Sequence, residues 1–202
     1  TIIEILKKVN LKKKNFDLEI IVSDDGSNDN TTQLLEENEN LFDKLILGKE
    51  NKGKGAALKE AIKISTGEII IFQDADLEYN PEDYRILIKP FINNQADVVY
   101  GSRFMGSSAH RLIYYSHRAA NFFLTNLVNI FTNINFTDVE TGYKAFRKST
   151  LKKLILNENS FGIEIELTMK ISKLKVKIFE VGISYNGRSY EEGKKIGFKD
   201  GL

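Results

Sequence analysis

The fold class is decided by the stretch Gly67-Glu68-Ile69-Ile70-Ile71-Phe72-Gln73-Asp74-Ala75-Asp76-Leu77-Glu78. Its apolar run is bounded by a glycine and by acidic residues, which is typical of a short strand buried in a parallel sheet. The carboxylates of Asp74, Asp76 and Glu78 follow this strand at alternate positions. Mg²⁺ and Mn²⁺ prefer oxygen ligands and often bridge substrate phosphates. The stretch therefore predicts a strand that ends in a metal site, although a solvated acidic loop would have the same composition.

Strand-like and helix-like runs alternate on both sides of this stretch. The strand-like runs are 18–22, 44–47, 68–72, 96–101 and 176–181, and helical spacing of apolar residues occurs over 2–9, 31–38, 56–65 and from Pro81. Such alternation predicts an α/β domain with a mostly parallel, mixed sheet flanked by helices. Because ligands bind beyond the carboxyl ends of parallel strands, the polar residues after the strands at 18–22, 68–72 and 96–101 are expected to share one rim.

The composition limits the classes of protein to which the chain can belong. It has 202 residues, of which 42% are hydrophobic and 28% charged, with a net charge of +1 and no cysteine. This length predicts one domain over residues 1–202, and the near-neutral charge argues against a nucleic-acid partner. Disulfides and thiolate nucleophiles are excluded. With no secretory signal and no apolar run of about 18 residues, the sequence favours a cytoplasmic protein, at most peripheral to a membrane.

Two further loops join strand-like runs to helices. Asp24 and Asp25 follow the run at 18–22, where carboxylates accept hydrogen bonds from a base or a ribose, while Asp29 has the simpler role of a helix cap. The stretch Asn51-Lys52-Gly53-Lys54-Gly55 precedes a helix, and backbone N–H groups with a lysine at a helix N-terminus suit phosphate. An ordinary surface turn would also explain this second loop, which lacks the spacing of a Walker A motif.

Basic side chains occur at three more positions of interest. Arg103 comes directly after the run at 96–101, and a guanidinium there suits bidentate phosphate binding. Arg111 and Arg118 are seven residues apart and so lie near one helical face. The stretch 188–195 contains glycine and three cations, and it is either a mobile flap over a diphosphate or an ordinary charged tail.

Several of these stretches occur in the order found in one known family. They are 24–31, 51–55, 73–81, 97–104, 141–147 and 188–195. Together they cover nearly the whole chain and resemble the family 2 glycosyltransferases, specifically the dolichol-phosphate mannose synthase-like branch. The resemblance implies a GT-A fold, a nucleotide-diphosphate-sugar donor, Mg²⁺ or Mn²⁺ as cofactor, and a polyprenyl or dolichyl phosphate acceptor at the cytoplasmic face of a membrane.

The resemblance also implies roles for individual residues. Contacts to the nucleotide-sugar are expected from Asp24, Asp25, Ser27, Asn51, Lys54, Asp74, Arg188 and Lys194. The metal is expected on Asp76 and Glu78, and the acceptor phosphate on Arg103 and Arg118. An acidic pair near the acceptor is formed by Glu164 and Glu166. The residues expected to take part in catalysis are Asp74, Asp76, Arg103, Glu164 and Glu166.

The chain departs from the family pattern in two respects. The family's first strand has no counterpart before Thr1, so the natural protein is expected to begin earlier and to end later. The C-terminal transmembrane helices of many relatives have no counterpart either. The apolar segment 119–136 is a candidate for an interfacial surface that meets a lipid acceptor, although packing of most of its side chains against the sheet is favoured.

Three alternatives to this function remain. The acceptor is a saccharide hydroxyl in the first, which requires Glu164 or Glu166 as general base. In the second, the protein is a non-catalytic nucleotide-binding protein on the same fold, which the intact acidic motif argues against. A nucleotidyltransferase is disfavoured because no glycine-rich, arginine-containing loop follows a first strand.

Overall fold

The computed structural model describes residues 1–106, 111–112, 114–189 and 191–192. The helices in this part of the chain are α1 (Ile2–Asn10), α2 (Thr31–Glu36), α3 (Lys54–Ile64), α4 (Tyr84–Ile92), α5 (Tyr115–Thr132), α6 (Lys148–Leu151) and α7 (Ile163–Ile171). The strands are β1 (Ile21–Asp24), β2 (Lys44–Leu47), β3 (Ile69–Ile71), β4 (Val98–Ser102), β5 (Lys144–Arg147) and β6 (Ile178–Gly182). Short 3₁₀ turns occur at Leu11–Lys14, Glu39–Leu41 and Pro81–Asp83.

The described strands form two sheets. β1 and β2 make a parallel pair, and the second sheet has the order β3-β5-β4-β6. Within it, β4 and β6 are parallel, whereas β5 runs antiparallel to both of its neighbours. The predicted α/β class with a mixed sheet flanked by helices is confirmed. The strand β5 was not among the predicted strands, because a charged residue at each of its ends hides its apolar centre.

One strand boundary and one helix boundary differ from the sequence prediction, each for a local reason. The run at 18–22 pairs with β2 only from Ile21, because the carboxylate of Asp43 accepts a hydrogen bond from the Ile20 N–H at 2.7 Å. The helix expected from Pro81 begins as a 3₁₀ turn, in which the Asn80 side chain accepts from the Glu82 N–H at 3.1 Å.

The core lies on both faces of the four-stranded sheet. On β4, Val99 belongs to the apolar cluster under α1 and α4, whereas Val98 and Tyr100 belong to the cluster under α5 and α7. This division follows from the alternation of side chains along a strand. All five residues of β4 are buried, so the strand is the centre of a three-layer arrangement. Its end at Ser102 delivers the next residue, Arg103, to the rim of the sheet.

The helix α5 presents apolar side chains to solvent. Phe122 is 69% exposed, Phe123 62%, Ile130 75% and Phe131 75%, while Val128 is buried against the sheet. The expectation that most of these side chains pack against the sheet is therefore wrong, because only one face of the helix meets α7 and the core. Within the described residues, no helix is both long enough and apolar enough to cross a bilayer.

Candidate active site

The end of β3 is the centre of the predicted site. The ammonium of Lys54 lies 2.9 Å from Asp74 Oδ1 and 3.1 Å from Asp74 Oδ2. The side chain of the preceding residue, Gln73, is held by two tyrosines. Its Oε1 accepts hydrogen bonds from the hydroxyl of Tyr84, at 3.0 Å, and from the hydroxyl of Tyr143. Lys54 is the first residue of α3, so the geometry joins the acidic strand end to the glycine-rich loop.

A glycine lets the backbone approach Asp74 closely. A Cβ on Gly142 would lie 2.3 Å from Asp74 Oδ2, a distance that no real Cβ contact adopts. The Gly142 N–H donates to the hydroxyl of Tyr79 at 2.7 Å, and the Tyr79 ring stacks on Tyr143 with centroids 4.7 Å apart. The segment 141–142 therefore forms a wall against which the Asp74 carboxylate is held.

Asp76 and Glu78 share one cation, the guanidinium of Arg188. Its Nη2 lies 3.1 Å from Asp76 Oδ2 and its Nε 3.2 Å from Glu78 Oε1. Glu78 also accepts from the Tyr185 hydroxyl at 2.8 Å. Between the two acids, Leu77 has a φ of 66°, a left-handed conformation that is rare for a leucine.

Of the three acids of the motif, Asp76 and Glu78 are the expected metal ligands, and Asp74 is expected to contact the nucleotide-sugar. Within the described ranges, no group of three or more His, Asp or Glu side chains is arranged to hold a metal ion. Asp74 is turned toward Lys54, and only Asp76 and Glu78 share a partner. Burial raises the pKa of Asp76 above its ordinary value, and the charges of Glu78 and Asp74 act in the same direction. Mg²⁺ and Mn²⁺ are often bound by only two protein carboxylates, because water and substrate phosphate complete their coordination shell. Asp76 and Glu78 therefore fit such an ion.

A cavity of about 580 Å³ lies at the end of β1 and reaches Ala75 of the acidic motif. Asp24, Ser27 and Asp29 are among the residues that line it. The Asp24 carboxylate accepts from the Ser27 N–H at 3.0 Å and from the Ser27 hydroxyl, which fixes the turn after β1. Asp29 accepts from the Thr31 N–H at 2.9 Å at the start of α2. Asp24 and Ser27, which are both predicted to contact the nucleotide-sugar, thus border one cavity.

Asp25 faces the loop at 51–53. Its carboxylate accepts from the Lys52 N–H, at 3.1 Å, and from the Gly53 N–H. Gly53 has a φ of 103°, and a Cβ there would lie 2.4 Å from the carbonyl oxygen of Asn159. Asn51 is exposed and its backbone packs against Gly26. Asp25 therefore anchors the loop that presents Lys54.

The two acids at the start of α7 are in different places. Glu164 is buried between Lys54, 2.8 Å from Glu164 Oε1, and Lys144, which contacts Glu164 Oε2. Burial acts to raise the pKa of Glu164, but the two lysines outweigh it and hold that pKa below its ordinary value. Glu166 instead accepts from the backbone N–H groups of residues 157 and 158 and pairs with Lys170 at 2.6 Å. Of the two, only Glu164 contacts Lys54.

The two predicted acceptor arginines both lie close to the ring of Phe104. The guanidiniums of Arg103 and Arg118 are each 5.6 Å from the centroid of Phe104. Arg103 is held by Asp138, with Nε at 2.7 Å and Nη2 at 2.6 Å from its carboxylate oxygens. Arg118 is exposed on α5, and the described part of the chain offers it no carboxylate partner.

Three residues near the site were not predicted from the sequence. They are Asp138, Glu140 and Lys144. Asp138 and Lys144 are buried partners of predicted residues. The only signal for them was position, since Asp138 lies just before the matching stretch 141–147 and Lys144 lies within it. Glu140 is half-buried, and burial raises its pKa above the ordinary value of a glutamate. In the part of the chain that the structure describes, its carboxylate makes no hydrogen bond.

Lys194 and the rest of the predicted flap beyond residue 192 lie outside the described residues.

Comparison with known proteins identifies what the chain is similar to. The sequence profile described as "Glycosyl transferase family 2" matches residues 1–155. The UDP-N-acetylglucosamine--dolichyl-phosphate N-acetylglucosaminyltransferase of Methanococcus voltae is 32% identical over 94% of this chain and 84% of its own length. The dolichyl-phosphate beta-glucosyltransferase ALG5D of Trichomonas vaginalis is 28% identical over 91% of this chain and 59% of its own length.

A solved structure is also similar. Glucosyl-3-phosphoglycerate synthase from Mycobacterium tuberculosis, in complex with Mn²⁺, UDP and phosphoglyceric acid, matches with a TM-score of 0.71 at 20% identity, over 95% of this chain and 68% of that one. At this identity the similarity concerns the fold, and it agrees with the expected GT-A architecture.

Proposed function

Because the chain belongs to glycosyl transferase family 2, we propose that it transfers a sugar from a nucleotide-diphosphate-sugar to a polyprenyl phosphate at a membrane surface. The observation that carries this proposal is the convergence of a nucleoside-sized cavity, the Lys54–Asp74 pair and the Asp76–Glu78 pair at one rim. The M. voltae relative is named for transfer to dolichyl phosphate, which supports the same class of acceptor.

The donor binds with its nucleoside in the cavity at the end of β1. Asp24 and Ser27 border the space for the base and ribose, and Ala75 marks its boundary with the acidic motif. The diphosphate then lies near the start of α3, where Lys54 and the helix N-terminus favour negative charge. Asp74, held between Lys54 and Gly142, orients the sugar at the junction with the diphosphate.

The sugar is transferred with inversion in one displacement. A phosphate oxygen of the acceptor forms a bond to the anomeric carbon while the bond from that carbon to the donor diphosphate breaks, and the nucleoside diphosphate leaves with the electron pair. The acceptor oxygen is already ionised at neutral pH, so the enzyme contributes mainly position and electrostatic stabilisation. A divalent cation, Mg²⁺ or Mn²⁺, held by Asp76 and Glu78 would stabilise the charge on the departing diphosphate.

The acceptor phosphate binds on the α5 side of the site. Arg118 is exposed beside Phe104 and supplies a guanidinium for it. The guanidinium of Arg103 is paired with Asp138, so the role of Arg103 is to hold Phe104 and the turn after β4 in place. The exposed apolar face of α5 continues from Arg118, and α5 carries no acidic residue. Apolar and basic groups on one helix favour the interface of an anionic membrane, where a lipid-linked acceptor resides.

A saccharide hydroxyl is the second candidate acceptor, and Glu140 is the observation that favours it. The expected bases are poorly placed, since both oxygens of Glu164 are held by lysines and Glu166 holds a loop. Glu140 lies on the segment between Asp138 and Gly142, and its raised pKa suits proton abstraction from a hydroxyl. Under this alternative, Glu140→Gln would abolish transfer, whereas transfer to a phosphate would survive the substitution.

One experiment tests the proposal directly. The purified protein is incubated with UDP-N-acetylglucosamine, UDP-glucose or GDP-mannose and with Mn²⁺ or Mg²⁺, and donor binding is read as a rise in the thermal unfolding midpoint. Each donor that binds is then offered a polyprenyl phosphate or a set of oligosaccharides. Transfer to the lipid phosphate is expected. Transfer to saccharides alone would establish the second candidate, and donor binding without any transfer would indicate a non-catalytic nucleotide-binding protein.

A further inference from the structure

A lysine ammonium is buried in the core directly below the site. Lys144 Nζ is fully buried and donates to the carbonyl oxygens of Val139, at 2.9 Å, and Thr141, at 2.6 Å, and to Glu164. An ammonium has three donors, and all three have an acceptor here. A buried charge is tolerated only when it is paired and hydrogen-bonded in this way. Lys144 is therefore a fixed positive charge in the core.

This charge is the inner end of a chain of alternating charges. Glu164 contacts Lys144 through one oxygen and Lys54 through the other, and Lys54 in turn contacts Asp74. The side-chain exposure rises along the chain from 0% for Lys144 through 4% for Glu164 and 18% for Lys54 to 31% for Asp74. The row thus leads from the core to the open rim where the donor is proposed to bind.

We propose that Lys144 is a positioning residue for the donor, acting through Glu164 on the ammonium of Lys54. This inference rests on the proposed function. Lys54 lies at nearly equal distances from its two acids, 2.8 Å from Glu164 and 2.9 Å from Asp74. Without Lys144, Glu164 would have Lys54 as its single cation and would draw it inward, away from Asp74. The buried lysine thereby leaves the Lys54 charge available at the rim.

The test separates the charge of Lys144 from the charge of Glu164. In Lys144→Met, Glu164 has Lys54 as its single cation and draws it away from Asp74. The Michaelis constant for the nucleotide-sugar is then expected to rise about tenfold or more, the scale of one charge-assisted hydrogen bond. In Lys144→Met/Glu164→Gln, no carboxylate draws Lys54 inward, so that constant should fall below its value in Lys144→Met. The Michaelis constant for polyprenyl phosphate should stay near its wild-type value in Lys144→Met.

A matched control is the Glu4–Lys8 pair on α1, whose charged atoms are 3.0 Å apart. Lys8→Met/Glu4→Gln should leave both constants unchanged. Unchanged donor kinetics in Lys144→Met would overturn the proposal, as would a double variant whose Michaelis constant for the donor is as high as that of Lys144→Met. A loss of stability with equal losses for both substrates would also overturn it and would assign Lys144 to the core alone. If the wild-type protein neither binds UDP-N-acetylglucosamine nor GDP-mannose, the proposed function itself fails, and the two failures are thereby distinguished.

Discussion

The exposed face of α5 leads to a quantitative prediction about membrane binding. The perturbation is Phe122→Ser/Phe123→Ser, at two rings that are 69% and 62% exposed. Burying a phenylalanine side chain completely contributes about 2–3 kcal/mol, so insertion of these exposed portions into a bilayer interface contributes about 3 kcal/mol in total. Loss of that free energy corresponds to about a hundredfold fall in the partition coefficient. Because neither ring belongs to the buried core, the fold should survive the substitution.

The assay is co-sedimentation with vesicles that contain phosphatidylglycerol. Wild-type protein should sediment with them, and less of it at high salt, because Arg118 contributes an electrostatic part that salt screens. Ile92→Ser is the matched control, since Ile92 is 71% exposed at the end of α4, a helix of the opposite core cluster. Equal sedimentation of the double variant and the wild type would refute the lipid-facing surface. A wild-type dimer that the substitutions dissociate, with no vesicle binding, would assign the face to a second copy of the chain.

Three further predictions concern the site and its stability. Asp76→Ala should abolish metal-dependent turnover while leaving the fold intact, and retention of most activity in a transfer assay would rule out its role as a ligand. Gly142→Ala should lower donor affinity or stability, because the new Cβ would lie 2.3 Å from Asp74 Oδ2; unchanged calorimetric binding and unfolding would contradict the close approach. Burial acts to raise the pKa of Glu19, but hydrogen bonds from Lys44 and the Thr66 backbone lower it from 4.5 to about 2. Because the pKa of Glu19 is lower in the folded state than in the unfolded state, its ionised form stabilises the fold by about 1 kcal/mol above pH 4.5. This stabilisation is lost as the pH falls toward 2. Acid unfolding of Glu19→Gln should show less pH dependence in that window.

The fold class and the rim of the site were predictable because both follow from local patterns. An apolar run followed directly by acids defines β3 and Asp74 without any knowledge of tertiary contacts. The strand β5 was not predictable in this way, because its stability comes from neighbours on both sides and its own ends are charged. The contacts of Glu164 with Lys144 and Lys54 join residues far apart along the chain, and no periodicity signals such a contact.

The exposed face of α5 was mispredicted for a different reason. Apolar residues at helical spacing indicate that one face of a helix is buried, but they do not identify what covers that face. In this chain, Val128 packs against the core while Ile130 and Phe131 remain in solvent. The position of Arg103 directly after a strand could be predicted from the sequence. Its ion pair with Asp138 could not, because Asp138 lies in a loop 35 residues away along the chain.

The aromatic residues under the acidic strand end give the protein a built-in optical reporter. The chain contains eight tyrosines and no tryptophan, so no indole absorbs the tyrosine emission. Tyr79, Tyr84, Tyr143 and Tyr185 all contact the residues of the 73–78 stretch or the wall beside it. Half of the tyrosines of this protein therefore lie within reach of the proposed donor site, and binding there should change the tyrosine fluorescence without any label.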